Sequence, residues 1–270
     1  MNGPKERKTG DPGDAYVVAS VERAAQLLLT LAEMPDAGVT DLAEATGTTK
    51  SLTFRLLYTL ERNGFVRKDA ERRTYTLGYR TLVLGDQSRR QSQLIATAEP
   101  VLESLVEETR ENALLFVREG TKGLCVALRE SPQPLRIFAS VGRLVPLYAG
   151  GATKVLLAYA PDEVQAEVAA GPLERFTPST PSDSASLSAA LERIRSDGYV
   201  RSVGEIEPDT CSIAAPVRDQ TGGVIAALGV NGPTARMTDA VTDAAALTVM
   251  SAAAGLSRAL GWRPGPTGMG

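Results

Sequence analysis

Apolar residues recur at three- and four-residue intervals through the first sixty positions. In VASVERAAQLLLTLAEMPD, Val21, Ala24, Ala25, Leu28 and Leu31 lie at helical spacing and predict a first helix with Ser20 as its N-cap. VTDLAEATG predicts a short second helix, with Thr40 as N-cap and Gly47 as the stop. A third follows after a very tight connection, in GTTKSLTFRLLYTLERNGF. On a wheel at about 100° per residue, Leu52, Thr53, Leu56, Leu57 and Leu60 share one side. Ser51, Phe54, Arg55, Tyr58 and Arg62 share the other. The first set is a core-facing stripe. The second puts two rings and two arginines where water is expected. Either the rings pack on a neighbouring segment, or the helix lies against something large and negatively charged.

Two helices joined through a few residues around a glycine form a helix-turn-helix pattern. GFVRKDAERRTYTLG adds two short strands, Phe65–Val66 and Thr74–Leu77, around a charged turn, which is a small wing. YRTLVLGDQSRRQSQLIATA is helical in tendency and reads as a linker, and Pro100 suits the first position of the helix PVLESLVEETREN. The pattern then alternates. ALLFVREGTKGLCVALRE is a hairpin, LRIFASVG a further strand, and CSIAAPVRDQTGGVIAALGVNG a second hairpin turning at Thr221–Gly223. Helices fall at GGATKVLLAYA, PDEVQAEVAAG, SASLSAALERIRSDG and, capped by Thr238, TDAVTDAAALTVMSAAAGLSRAL. Hairpins with interleaved helices predict an α+β domain on an antiparallel sheet.

Composition narrows the chemistry. With 270 residues and 43% hydrophobic content, there is material for about two packed domains. Charge is uneven beneath the net −3: residues 50–90 hold ten Lys and Arg against four Asp and Glu, whereas 91–270 hold fifteen against twenty. A basic segment on an acidic chain suggests one module that meets an anion and one that does not. The chain has no histidine, which removes Ser-His-Asp and Cys-His catalysis and the commonest metal ligand. We therefore expect no catalytic residue, no metal and no cofactor. Cys125 and Cys211 are far apart and form no framework, which fits a reducing cytoplasm. MNGPKERKTGDPGDA lacks the apolar core of a secretory signal, and no run of about 18 apolar residues predicts a membrane span. AGGATK fails as a phosphate-binding loop, since Lys154 follows Thr153 and precedes Val155.

From about Val18 to Leu260 the chain resembles the IclR family of bacterial transcriptional regulators. SVERA, TTKSLTFRLLYTLERNGFVRKD, YTLGYR, LYAGGATKVLLA and CSIAAPVRDQTGGVIAALGVNGP carry the likeness, in the family's order and spacing. The resemblance implies an N-terminal winged helix-turn-helix over 17–78, a helical linker over 79–98 and a GAF-like effector and oligomerisation domain over 99–260. Loose tails at 1–16 and 261–270 complete the division. It also implies a homodimer or dimer of dimers on a pseudo-palindromic DNA operator, a small organic effector such as a carboxylic or aromatic acid, and repression more often than activation. This chain departs from the family pattern at Thr49 and Leu52 in the third helix, at Tyr148 and Thr153, and at Gly229 and Asn231 in the last strand.

For DNA, the candidates are Thr40, Lys50, Ser51, Phe54, Arg55 and Tyr58, with Arg67, Arg72 and Arg73 on the wing. Basic groups supply phosphate attraction, and a helix face entering a major groove about 12 Å wide can touch bases. Thr40 could serve only as a cap, and Arg55 could pair with a carboxylate inside the fold. For the effector, the family correspondence points to Ile137 and Ala139 on one strand. It adds Tyr148, Gly151 and Ala152 at the turn into a helix, and Cys211, Gly229 and Asn231 on later strands. Gly150–Gly151 admits close approach to the backbone, and the amides of the following helix suit a carboxylate. The small residues could instead only permit tight packing, and Cys211 could be a small buried hydrophobe.

Overall fold

The computed structural model describes residues 16–263 and divides into a unit ending at Gln91 and a unit from Ser92 onward. Apart from Tyr16 and residues 261–263, the expected tails lie outside the described residues.

In the first unit, helices α1 (Ala19–Glu33), α2 (Val39–Ala45) and α3 (Lys50–Arg62) enclose Leu27, Leu31, Leu42, Leu57 and Leu60. Strands β1 (Ala37–Gly38), β2 (Val66–Asp69) and β3 (Thr74–Leu77) form an antiparallel sheet in the order β1-β3-β2, and Val66 and Tyr75 close the core from it. Two expected caps move. Val18, not Ser20, precedes α1, and Gly38, not Thr40, precedes α2. The reason at α2 is Asp41, whose Oδ2 accepts the Gly38 amide at 3.0 Å and so fixes the helix start ahead of Thr40. Gly47, at φ +61°, turns the chain away from the end of α2, and the Thr49 hydroxyl caps α3 by accepting Leu52 N at 3.3 Å.

Helix α4 (Tyr79–Gln91) buries none of its side chains. Helix α5 (Gln93–Thr109) restarts after Ser92, whose Oγ accepts Ile95 N at 3.3 Å. The expected linker boundary at 98/99 therefore falls inside α5, and Pro100 sits in the helix interior instead of at its first position. The Ser92 cap and the buried stripe Ala98, Leu102 and Leu105 hold the extra turns, while proline removes one amide from the ladder.

The second unit is built on six strands, β4 (Asn112–Glu119), β5 (Lys122–Arg129), β6 (Leu144–Pro146), β7 (Val200–Val203), β8 (Thr210–Arg218) and β9 (Val224–Pro233). They are antiparallel in the order β6-β5-β4-β9-β8-β7. Side chains alternate between two cores. Ala113, Leu115, Ile213 and Leu228 face α5 and α9 (Asp239–Ala259), whereas Leu114, Phe116, Ala214 and Ala227 face α6 (Gly151–Ala158) and α8 (Ser184–Asp197). Helix α7 (Asp162–Ala170) contributes Val168 to the second core. A register shift opposite Leu115 and Phe116 turns Cys125 toward α6 while Ala127 stays with α5 and α9. By length and composition α9 could cross a bilayer, but Ala246, Val249, Ala253 and Leu256 are buried against the sheet.

The strand expected at LRIFASVG is absent: residues 136–140 carry no ladder. Side chains take its carbonyls instead, Arg236 bonding Leu135 O at 2.9 Å and Asn112 bonding Ile137 O at 2.8 Å.

Candidate functional site

Two surfaces carry chemistry. On the first unit, burying Thr53, Leu57 and Leu60 turns the other face of α3 outward. Phe54 and Tyr58 are 48% and 54% exposed, and Lys50, Ser51 and Arg55 are exposed beside them. The rings do not pack into the unit. Among the described residues Arg55 has no ion pair, and its main-chain oxygen accepts the Thr59 hydroxyl at 2.9 Å. Thr40 is exposed on α2. On the wing, the Arg67 guanidinium lies 4.7 Å from the Tyr79 ring centroid, and Arg72 and Arg73 occupy the exposed turn. Asp69 shapes that turn by accepting the amides of Glu71 at 2.9 Å and Arg72 at 3.0 Å. The Arg72 amide bond is the main reason that its carboxyl sits below the usual range. The surface combines exposed cations with exposed rings, the chemistry that suits a phosphate-lined groove.

On the second unit, a cavity of about 100 Å³ lies between the sheet and the head of α6. Its floor carries a polar row set by strand register, Ser202 pairing with Ser212 and Ser212 with Asn231; outside the lining, Asn231 pairs with Asn112. At the end of the row Asn112 Nδ2 donates to Asn231 Oδ1 at 3.0 Å. Gly150, at φ +87°, turns the chain into α6. Gly151 is needed for close approach, since a Cβ there would stand 2.6 Å from Ser212 Oγ. Behind the cavity Lys154 and Glu205 form a buried ion pair, with side chains 5% and 10% exposed. Glu205 Oε2 also accepts the Gly150 amide at 3.0 Å, and Ser212 Oγ accepts the Gly151 amide at 3.2 Å. The first two amides at the head of α6, expected to meet a ligand carboxylate, are thus occupied by the protein's own side chains. At the rim, Arg143 Nη2 pairs with Glu207 Oε1 at 2.8 Å.

Of the residues expected at this site, Ile137, Ala139, Gly151, Ala152, Gly229 and Asn231 line the cavity. Ile137 and Ala139 do so from an irregular segment, not from a strand. Two do not line it. Tyr148 is buried with its hydroxyl donating to Glu174 O at 3.1 Å and its ring stacked on Phe176. Cys211 belongs to the opposite face of β8, packed in the core under α9, where burial pushes its thiol pKa up. Strand parity decides this: the Ser212 side chain turns to the cavity, so the Cys211 side chain turns to the other face of the sheet. Ser202, Ser212, Glu205, Arg143 and Glu207 are additional cavity residues. Only the cross-strand register brings the two serines together. Cys125 also lines the cavity, its thiol pushed up to about 11 by burial.

Residues 87–258 match the family described as bacterial transcriptional regulator IclR C-terminal, and residues 20–70 match the IclR helix-turn-helix domain. The chain is 33% identical over 245 residues to the HTH-type transcriptional regulator BhcR of Paracoccus denitrificans, covering 90% of this chain and 88% of that one. It is 29% identical over 265 residues to the HTH-type transcriptional repressor AllR of Salmonella typhi, covering 96% and 97%. Among solved structures, an IclR homolog complexed with 4-hydroxybenzoate, from Microbacterium hydrocarbonoxydans, superposes with a TM-score of 0.76 at 25% identity, covering 89% and 98%.

Proposed function

The chain belongs to the IclR family of bacterial transcriptional regulators, and from that premise we propose that its hold on an operator is modulated by a small organic molecule bound in the cavity under α6. The observation that carries the DNA side is the outward face of α3, where half-exposed Phe54 and Tyr58 stand beside Lys50, Ser51 and Arg55. Lys50, Ser51 and Arg55 bond phosphates or base edges; the rings touch sugars and thymine methyls. Arg67, Arg72 and Arg73 supply sequence-independent attraction, and Thr40 a phosphate contact. The mode is repression, in keeping with the repressor among its relatives.

The effector is contacted by Ile137, Ala139, Gly151, Ala152, Gly229 and Asn231. It is a small carboxylic acid, and a cavity of about 100 Å³ suits a compact one. It acts only by binding the DNA-competent and DNA-incompetent states with different affinity. Two copies pair, so that two α3 helices meet half-sites about one helical turn apart in a pseudo-palindrome. The exposed apolar stripe of α4, with Leu82 71% exposed between Tyr79 and Val83, supports pairing with a second copy. The protein works in the cytoplasm, where DNA is.

Fluorescence anisotropy with labelled duplexes tiling the gene's own flanking region, at low ionic strength, tests the reading. One fragment is bound tightly, and a short carboxylic acid changes that affinity. Failure of every fragment to bind, with and without the acids, refutes DNA regulation; binding that no acid alters refutes the effector.

A further inference from the structure

Of the polar residues that line the cavity, Ser202 and Glu205 are buried, whereas the Arg143 and Glu207 side chains are 33% and 43% exposed, which puts their ion pair at the mouth. The two come from opposite sides. Arg143 ends the irregular segment before β6, and Glu207 lies in the turn between β7 and β8. That segment is pinned at both ends. Asn112 Oδ1 accepts Ser131 N at 2.8 Å and Asn112 Nδ2 holds Ile137 O; at the far end Gly142 N donates to Cys125 O at 2.8 Å, and Cys125 N to Arg143 O at 3.0 Å. Between these pins, the only hydrogen bonds among the described residues are internal ones to Arg143. Its Nη1 reaches Phe138 O at 3.4 Å, and its main-chain N reaches Ser140 O at 3.3 Å. Phe138 lines the cavity and is nevertheless 74% exposed. The middle of the segment is therefore tied to the far side of the mouth through one guanidinium.

We propose that residues 135–143 are a strap over the cavity and that the Arg143–Glu207 pair is the clasp that keeps it shut. This concerns admission to the cavity, whatever molecule fills it. The space of about 100 Å³ is smaller than the roughly 150 Å³ that an apolar cavity gives a benzene ring. A ligand with a ring enters only with the strap displaced.

Cys125 is a built-in reporter. It lies on β5 with its main chain bonded to Gly142 and Arg143, and its buried, poorly ionised thiol alkylates slowly while the strap is closed. The experiment measures iodoacetamide labelling at pH 8, by mass spectrometry, in the full chain carrying Cys211→Ser. Glu207→Gln and Arg143→Gln each speed Cys125 labelling about two- to fivefold, the range open to a half-exposed ion pair. The double variant is no faster than either single, because both break one contact. The charge-reversed pair, Arg143→Glu with Glu207→Arg, returns toward the parent rate. In the matching Cys125→Ser series, Cys211, in the core on the other face of the sheet, labels at an unchanged rate. Unchanged Cys125 labelling in both single variants overturns the clasp. So does a double variant whose effects add, or acceleration of Cys211 in step with Cys125, which would mean general loosening.

Discussion

Replacing Lys154 by methionine tests whether the ion pair behind α6 holds the second unit together. Both side chains are almost fully buried, and removing one partner of such a pair leaves an uncompensated charge, at a cost of about 3–5 kcal/mol. The local geometry selects the lower end. Glu205 keeps the Gly150 amide at 3.0 Å, a charge-assisted bond that offsets part of the loss, and Thr180 Oγ1 still anchors its main-chain oxygen at 2.6 Å. For a unit of this size each kcal/mol moves the melting temperature by about 2–4 °C, so about 3 kcal/mol lowers it by roughly 6–12 °C. The informative control is Lys154→Met with Glu205→Gln. Glutamine keeps an oxygen for Gly150 N, whereas an apolar residue would orphan that amide, and the double variant carries no buried charge. It should recover at least about half of the loss. Calorimetry of the single and double variants is the assay. A Lys154→Met protein melting within about 2 °C of the parent, or a double variant no more stable than the single, would refute the argument.

Three further outcomes follow from the same geometry. Arg55→Ala weakens operator binding by about 1–3 kcal/mol with the melting temperature unchanged, because its side chain is exposed; anisotropy and calorimetry on one preparation check both halves. Gly151→Ala drives a Cβ onto Ser212 Oγ and costs about 1–3 kcal/mol of stability by overpacking, read from urea unfolding. Asp183 caps α8, and its carboxyl is held below the ordinary 3.8 chiefly by the Ser186 amide bond. A carboxylate with a depressed folded pKa stabilises the fold above its unfolded pKa, and that stability is lost as pH falls through the folded value. The melting advantage of the parent over Asp183→Ala should therefore be full at pH 6 and shrink on acidification below about pH 4; an advantage independent of pH would remove the carboxylate's charge from the cap.

What could be read from the chain alone was whatever a local period or turn encodes. The two faces of α3 follow from spacing, and the β4–β5 and β8–β9 hairpins from EGTKG and from the turn at Thr221–Gly223. What escaped depends on partners far away in sequence. Strand β1 is two residues long and exists because β3 lies beside it. The segment around Ile137 has the β-rich composition of a strand, but Asn112 and Arg236 capture its carbonyls. Strands β6 and β7 are short edge strands with little periodicity to detect. At the cavity, family correspondence reached Asn231 and Gly151 but also Cys211, because parity along β8 is fixed only by its register against β9.

The same register changes what the head of α6 can recognise. Read as sequence, Gly150–Gly151 before a helix is an open anion site; in the fold Glu205 and Ser212 already satisfy the two leading amides. An incoming acid must then find its donors elsewhere. Ser212 is one: its oxygen accepts from Gly151, so its own hydroxyl hydrogen remains to give. Asn231 is another, since its oxygen is committed to Asn112 while its amide NH₂ has no bond among the described residues. Arg143 at the rim is the remaining cation, reached only in competition with Glu207. On the proposed reading, the polar row across the sheet, more than the helix terminus, is what would select among short acids. Asn231, the end of that row in the cavity, is bonded to Asn112, the residue that holds Ser131 and Ile137 of the segment over the mouth.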